Sequence, residues 1–251
     1  MKDTFVQRES AYLSFAESRC KKVLAETKPT GKRFLEIGSG AGFEAGVFSA
    51  MGYQVDAVEL DPELVHFAEN RLRRQALIPE IILGDFLSHP FADRYDLIYY
   101  LDGFGVGDPA NQEAFLARIG RLLNGSTGAA YIDIYNKRYW KEAHGVSMQL
   151  MGTVQRVYSF ESDGNVMVDR WRDSETGESA EQRLCCYDLD EIVRMSRRAG
   201  LDVVKAVAGG RMDYQEMRWL DRAKTLTASS PGLYAPSNIH IPSFCASGIT
   251  Q

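Results

Sequence analysis

Residues 33–42 read Arg-Phe-Leu-Glu-Ile-Gly-Ser-Gly-Ala-Gly, an apolar stretch that runs directly into a glycine-rich turn. Glycine tolerates left-handed backbone and lets a ligand approach the chain closely. Between a strand and a helix, such a turn also presents backbone N–H groups to a bound ligand. The stretch therefore predicts the first strand–turn–helix unit of an α/β sheet, with a ligand crevice above the turn.

The same alternation of apolar strands and helices continues along the chain. Strands are predicted at 53–59, 81–83, 95–101 and 129–134, and helices at 43–51, 63–77 and 111–123. This order is typical of a parallel sheet with helices on both faces. With a helix at 189–199 and strands at 201–207 and 240–246, it predicts an α/β fold: a Rossmann-like seven-stranded mostly parallel sheet.

A different pattern follows, because residues 152–187 alternate with period two and carry turn signals at 162–164 and 174–177. Such alternation predicts a three-stranded antiparallel insert. The expected domains are an N-terminal helical cap (1–30), a ligand-binding core (31–151), the insert (152–188) and the rest of the core sheet with a tail (189–251).

Composition narrows the class of protein. The 251 residues are 45% hydrophobic and 25% charged, which excludes a disordered or low-complexity chain. The net charge of −5 argues against a nucleic-acid partner. The basic residues Arg71, Arg73 and Arg74 close a predicted helix, where we expect a solvated face.

Targeting and metal signals are missing from the sequence. No apolar run approaches the roughly 20 residues of a membrane helix, and the first residues are polar. We therefore expect a cytoplasmic protein with no membrane partner. The four cysteines lack metal-ligand spacing, so we expect reduced thiols and no metal.

Two interpretations of the glycine-rich turn compete. The spacing Gly40-Gly42-Ala45 fits a loose dinucleotide fingerprint and favours an NAD-dependent oxidoreductase. Alternatively, Glu36, Gly38, Gly40 and Gly42 form the pattern E-x-G-x-G-x-G, which resembles motif I of the class I S-adenosylmethionine-dependent methyltransferases.

Three further positions are similar to that family. Glu59 ends the second strand, as the family's acidic ribose-binding residue does, and one carboxylate can accept hydrogen bonds from two neighbouring hydroxyls. Asp85 follows the third strand, near the expected adenine, and Asp102 ends the fourth, at the edge of the methyl-transfer site. The resemblance implies S-adenosylmethionine as cofactor, with these binding residues: Glu36, Gly38, Ser39, Gly40, Gly42, Glu59, Leu60, Asp85, Phe86 and Leu101.

For the acceptor, the resemblance implies transfer of a methyl group to N, O or C of a small-molecule metabolite, with a role in natural-product biosynthesis. After the fourth strand the chain lacks the Asn-Pro-Pro-Tyr pattern of enzymes that methylate amide or base nitrogens. Asp102 and His144 are the candidate catalytic residues. The candidate substrate residues are Tyr12, Phe104, Tyr135, Tyr139, Trp140, Arg170 and Trp171, since aromatic side chains with a few polar groups are typical of small-molecule pockets.

Several alternatives stay open at this point. The same fold supports enzymes that cyclise or transfer the aminocarboxypropyl part of S-adenosylmethionine. The chain could also be a catalytically silent binding module or an NAD-dependent oxidoreductase, and formation of a homodimer is left open.

Overall fold

The computed structural model describes residues 9–77, 79–125, 127–151, 153–208, 211–213, 218–220, 225–227 and 232–237. The helices are α1 (Glu9–Thr27), α2 (Phe43–Ala50), α3 (Pro62–Arg74), α4 (Pro109–Leu122), α5 (Lys137–Glu142) and α6 (Leu189–Arg198). The strands are β1 (Arg33–Ile37), β2 (Gln54–Glu59), β3 (Glu80–Leu83), β4 (Leu97–Tyr100), β5 (Ala129–Ile132), β6 (Ser147–Met151), β7 (Val154–Glu161), β8 (Val166–Asp173), β9 (Ser179–Cys185), β10 (Asp202–Ala208), β11 (Arg211–Asp213), β12 (Arg218–Leu220), β13 (Thr225–Thr227) and β14 (Gly232–Ser237).

The main sheet has the strand order β3-β2-β1-β4-β5-β14-β10-β13. Its first five strands are mutually parallel and form the expected Rossmann-like core. The predicted count of seven strands was wrong, because β14 inserts between β5 and β10 and β13 adds an antiparallel edge. The strand expected at 240–246 lies outside the described residues.

The antiparallel insert has four strands in the order β6-β7-β8-β9, one more than the sequence predicted. The additional strand is β6, in which Met148 pairs with Arg156 of β7. Residues 147–151 were overlooked because they precede the long alternating stretch and are too few to show its period by themselves.

Burial explains why these segments form a covered sheet. β4 and β5 are buried along their whole length, as expected for strands with helices on both faces. Helix α1 packs one of its faces, including Phe15, Cys20 and Val23, on the core. Because parallel strands end at one edge of a sheet, the residues that follow β1, β2, β4 and β5 lie on one side of the molecule.

A separate apolar cluster joins the insert to that side. It contains Tyr135, Trp140, Tyr158, Met167 and Leu184, all buried. The insert therefore packs against the segment that follows β5. Within the described residues, no helix is both long and apolar enough to cross a membrane.

Candidate functional site

The glycine-rich turn after β1 is held in left-handed backbone at alternate residues. The φ angles of Gly38, Gly40 and Gly42 are 65°, 52° and 69°. A Cβ atom added at Gly40 would meet no atom within 4 Å, so the space above this residue is open. The buried hydroxyl of Ser39 has no hydrogen-bond partner among the described residues. A buried polar group without a partner, next to open space, is consistent with a ligand site.

Glu59, at the end of β2, lies beside this turn. Its carboxylate is buried and accepts hydrogen bonds from the N–H groups of Gly40 (2.8 Å), Leu60 (2.8 Å) and Asp61 (3.0 Å). A carboxylate has about four acceptor positions, so these contacts leave about one for a ligand. The next side chain, Leu60, is 64% exposed and offers an apolar surface at the rim.

A group of buried acids lies between α1 and the core. The Arg19 guanidinium contacts Glu44 at 3.1 Å and Asp133 at 3.4 Å. Burial and the charge of Glu44 raise the pKa of Glu36 well above its usual range, and the Tyr99 hydroxyl donates a 3.2 Å hydrogen bond to that carboxyl. Burial also raises the pKa of Asp133 to about 6. The Arg19 guanidinium therefore contacts the carboxyl groups of Glu44 and Asp133, and its charge also acts on that of Glu36.

Asp102 follows β4 and has a left-handed backbone, with a φ angle of 61°. A non-glycine residue in this region is strained, and such strain concentrates at functional sites. The side chain is buried, and its Oδ1 accepts a 2.6 Å hydrogen bond from the Tyr135 hydroxyl. Burial and the nearby charge of Asp102 raise the pKa of Tyr135 well above its usual range, so the phenol remains a hydrogen-bond donor.

The insert adds a buried ion pair that the sequence analysis missed. Arg156 donates from Nε to both carboxylate oxygens of Asp169, at 2.8 and 3.0 Å, and both side chains are 1% exposed. The guanidinium carbon lies 4.8 Å from the ring centroid of Tyr158 and 5.1 Å from that of Trp171. Burial lowers the pKa of Arg156, but its hydrogen bonds to Asp169 and the nearby charges together outweigh this and raise the pKa, with the charge of Asp102 as a smaller contribution.

Strand alternation places Arg170, a predicted substrate residue, on the exposed face of β8. Asp169 and Trp171 point to the buried face, whereas Arg170 is exposed and binds Glu181 at 2.7 Å on the other face. Since residues two apart share a face, the prediction of Trp171 could have pointed to Asp169.

The remaining residues predicted to contact the methyl acceptor lie in three kinds of surroundings: exposed, stacked beside the turn, or packed in the apolar clusters. His144 is exposed, and its Nδ1 accepts a 3.0 Å hydrogen bond from the Phe160 amide, so its described contact is with the insert. Tyr12 stacks on Phe43 with ring centroids 5.5 Å apart, next to the glycine-rich turn. Packing roles are clear for Phe104, Tyr139 and Trp140, which lie in or against the apolar clusters.

Two of the remaining predicted cofactor residues, Phe86 and Leu101, lie in the core. Phe86 is buried and stacks on Phe115, and Leu101 is buried on the side of the sheet that α1 covers. The Asp85 carboxylate accepts a 2.9 Å hydrogen bond from the Leu87 amide and so stabilises the turn after β3. These contacts define structural roles, and the binding roles stay predictions.

The expectation of a solvated basic face was wrong for Arg71. This side chain is 1% exposed and donates hydrogen bonds to the carbonyl oxygens of Ala41 and Gly42 in the glycine-rich turn. Arg73 and Arg74 are exposed, as expected. In the part of the chain that the structure describes, no three His, Cys, Asp or Glu residues form a group suited to a metal ion.

Comparison with known proteins identifies the class of this domain. Residues 34–126 match the family model described as a methyltransferase domain. A protein-L-isoaspartate O-methyltransferase from Chlorobium luteolum is 41% identical over 63 residues, which is 25% of this chain and 28% of that relative. The chain therefore aligns with less than a third of this curated relative.

Solved structures of low sequence identity share the fold over most of the chain. An S-adenosylmethionine-dependent methyltransferase from Clostridium acetobutylicum has a TM-score of 0.64 at 16% identity, covering 84% of this chain and 88% of that one. An amino pentose methyltransferase from Micromonospora echinaspora, involved in calicheamicin biosynthesis and solved with its cofactor, has a TM-score of 0.58 at 22% identity, covering 78% and 84%. The expected methyltransferase domain is therefore confirmed for residues 34–126, and most of the chain shares the fold of these S-adenosylmethionine-dependent methyltransferases.

Proposed function

We propose that this chain, in which residues 34–126 carry a methyltransferase domain, is an S-adenosylmethionine-dependent methyltransferase that acts on a small-molecule amine. One observation carries the proposal: the open space above Gly40 lies beside the buried carboxylate of Glu59, at the carboxyl edge of a parallel sheet. Ligands of open α/β sheets bind at this edge.

The residues around the turn fit the parts of the cofactor. Leu60 offers its exposed apolar surface to a purine ring, and Glu59 has an acceptor position left for a ribose hydroxyl. The acids Glu36, Glu44 and Asp133, which outnumber Arg19, favour a cationic amino group nearby. When bound, S-adenosylmethionine supplies an electrophilic methyl group.

The charge near Asp102 favours an amine as acceptor. Asp102, Arg156 and Asp169 are buried and together comprise two carboxyl groups and one guanidinium. A buried surplus of negative charge is costly unless a cation compensates it. An amine that arrives as an ammonium ion supplies that cation, whereas an acidic acceptor would add to the surplus.

The protein's part in the reaction follows from these contacts. Asp102 accepts a hydrogen bond from the incoming ammonium group and takes one of its protons before transfer, which frees the nitrogen lone pair and orients it towards the methyl group. Tyr135 holds the Asp102 carboxylate through its 2.6 Å hydrogen bond. The insert packs over the segment that follows β5 and excludes water from the reacting groups.

A small acceptor is favoured over a protein. The curated relative acts on protein isoaspartate, but the aligned part is only 63 residues long. The structural neighbour that methylates an amino pentose covers 78% of this chain, more than the family model covers by itself. We therefore propose amino sugars and related hydroxylated amines of natural-product biosynthesis as the first acceptors to test.

The test is transfer of tritium from methyl-labelled S-adenosylmethionine to a panel of amino sugars and simple cyclic amines. We expect labelled amine and S-adenosylhomocysteine in equal amounts. Methylthioadenosine as the product would instead indicate cyclase or aminocarboxypropyl chemistry. Binding of NADH in place of S-adenosylhomocysteine would reject the proposal in favour of an oxidoreductase.

Variants assign the roles. Asp102→Asn should lower kcat by about 10²–10⁴-fold, the range for a lost general base. Tyr135→Phe should lower kcat by a smaller factor. Tyr53→Phe is the control, because the Tyr53 ring stacks on Phe34 and lies far from Asp102 in the sequence, and its kcat should equal that of the wild type. All three should bind S-adenosylhomocysteine normally. Full turnover by Asp102→Asn would remove Asp102 from the catalytic role.

A further inference from the structure

We propose that Arg71 is a positioning residue that holds the glycine-rich turn in the shape that binds the cofactor. The inference rests on the proposed function and extends it to a residue of α3, outside the glycine pattern itself. Arg71 lies 29 residues after Gly42 in the sequence, and its side chain reaches back to the turn.

Arg71 donates two hydrogen bonds to the turn and one, from Nη1 to Gln75 Oε1 at 3.3 Å, to the residue that follows α3. The Nε of Arg71 donates to the Ala41 carbonyl at 3.3 Å, and its Nη2 donates to the Gly42 carbonyl. The guanidinium carbon lies 4.3 Å from the ring centroid of Phe43, the first residue of α2. One planar group therefore fixes two successive carbonyl groups and the ring that follows them.

A turn of this composition needs such support. Gly38, Gly40 and Gly42 lose more conformational freedom on ordering than other residues do. A site that must be ordered by its ligand binds more weakly than a site already ordered. The two carbonyl contacts of Arg71 therefore favour cofactor binding by reducing the conformations open to the empty turn.

Fold stability by itself does not account for Arg71. Its side chain is 1% exposed, and it makes no ion pair within 4 Å among the described residues. Burial lowers the pKa of the guanidinium, which reflects the cost of placing this charge in the interior. An apolar residue of similar volume would avoid this desolvation cost but would lose the hydrogen bonds to the turn and the contact with the Phe43 ring.

Helix α2 makes room for the guanidinium. A Cβ atom at Gly46 would lie 3.3 Å from Arg71 Nη2 and 2.7 Å from Leu72 Cδ2. Glycine inside a helix costs roughly 0.5–1 kcal/mol relative to alanine. Glycine at position 46 therefore lowers the stability of α2 slightly, but it lets α3 approach closely enough for Arg71 to reach the turn.

The same contacts extend to α1. Phe43, which packs on Arg71, also stacks on Tyr12, with ring centroids 5.5 Å apart. The order of contact is Arg71, Phe43, Tyr12. A change at Arg71 should therefore also alter the packing of Tyr12 on Phe43.

The experiment compares Arg71→Met, Arg71→Lys and a matched control, Arg73→Met, which removes the same charge from an exposed position on the same helix. Titration calorimetry measures affinity for S-adenosylhomocysteine, and thermal unfolding verifies the fold. We expect about tenfold weaker binding for Arg71→Met, the effect of one hydrogen bond to a charged group. Arg71→Lys should recover only part of the affinity, and Arg73→Met should match the wild type.

A second readout separates positioning from general stability. In protein labelled with [¹⁵N]glycine, the ligand-free Arg71→Met variant should show shifted amide resonances for Gly38, Gly40 and Gly42. The resonances of Gly164 and Gly177, in turns of the insert, should not move. Addition of S-adenosylhomocysteine should return the turn resonances towards their wild-type positions.

Three results would overturn the proposal. One is wild-type affinity with unmoved turn resonances in folded Arg71→Met. Another is a change spread over all the glycines, which indicates general destabilisation. If Arg71→Met does not fold, the same measurements are made on Arg71→Lys. Wild-type affinity and unmoved turn resonances in Arg71→Lys would reject a role for the planar guanidinium. Failure of the wild type to bind S-adenosylhomocysteine would contradict the proposed function instead, and the ligand-free resonances would still test Arg71.

Discussion

The backbone N–H of Gly40 donates a 2.8 Å hydrogen bond to Oε2 of Glu59, so the Glu59 side chain helps to join the first turn of the sheet to the end of the neighbouring strand. The carboxylate proposed to bind the ribose is thus also part of the support of the glycine-rich turn. A ribose hydroxyl either takes the remaining acceptor position of Glu59 or replaces one of its amide contacts.

Glu59→Gln should weaken binding of S-adenosylhomocysteine by about 1.5–3 kcal/mol, the range for hydrogen bonds to charged groups. The amide retains one acceptor oxygen, but its NH₂ group cannot accept from Gly40. Calorimetry with S-adenosylhomocysteine and with its 2′-deoxy analogue measures the effect. The analogue should lose less affinity through the mutation, and an equal loss for both ligands would show that Glu59 supports only the turn.

Gly40→Val should prevent binding of S-adenosylhomocysteine, because the new side chain enters the open space above the turn. Gly52→Val is the matched control: Gly52 also has a positive φ, 87°, and no atom within 4 Å of an added Cβ, but it lies before β2, at the opposite edge of the sheet. Both variants should be destabilised by backbone strain of about 1–2 kcal/mol. Normal binding by Gly40→Val, or equal loss in both, would contradict a ligand site at Gly40.

Asp133→Asn should change how stability depends on pH. Burial raises the pKa of Asp133 from 3.8 to about 6, so the folded state binds this proton more tightly than the unfolded state does. Its contribution to stability is therefore fully present below the unfolded pKa and is lost as pH rises through the folded pKa.

Urea unfolding at several pH values measures this effect. Relative to the wild type, Asp133→Asn should become more stable from about pH 4 to about pH 7, by at most about 3 kcal/mol. A difference between the two proteins that stays constant with pH would show that the Asp133 carboxyl titrates alike in both states.

The Arg156–Asp169 pair should behave asymmetrically under mutation. Arg156→Met leaves the Asp169 carboxylate buried without its cation and should cost about 3–5 kcal/mol of unfolding free energy. The double variant Arg156→Met/Asp169→Leu removes both charges, and its unfolding free energy should lie within about 1 kcal/mol of the wild-type value.

The folded double variant then tests the function of the pair. It should bind S-adenosylhomocysteine normally but show altered preference among the amines of the panel, because the charge near Asp102 has changed. Unchanged amine preference would limit the pair to packing of the insert.

Local features of the sequence predicted the glycine-rich turn and the acidic residues at the ends of two strands. The order strand, turn and helix around residues 33–50 requires only residue spacing, and glycine at alternate positions indicates left-handed backbone before any packing is known. Glu59 and Asp102 could be placed at one edge because the ends of parallel strands meet there. The start of α3 also depends on local contacts. The Asp61 carboxylate, just before Pro62, accepts a 2.8 Å hydrogen bond from the Glu63 amide.

Local patterns did not show where other side chains lie, because strand pairing and packing decide it. Arg170 was chosen for its chemistry, but pairing of β8 with its neighbours turned it outward and buried Asp169. His144 followed a segment rich in aromatic residues, yet its ring accepts from Phe160 of β7, which lies 16 residues later. Strand β14 (Gly232–Ser237) lies in the C-terminal tail, where the sequence predicted coil followed by a strand at 240–246.

The sequence by itself determined the five parallel strands of the core, the glycine-rich turn and the acidic strand ends, because these depend on the conformations of neighbouring residues. Only the tertiary structure decided that Arg71 and Arg156 are buried while Arg73 and Arg170 are exposed. Neighbouring arginines have the same intrinsic preference for water. Which of them loses water depends on the surfaces that the folded chain brings together, and that information is not contained in any short stretch of residues.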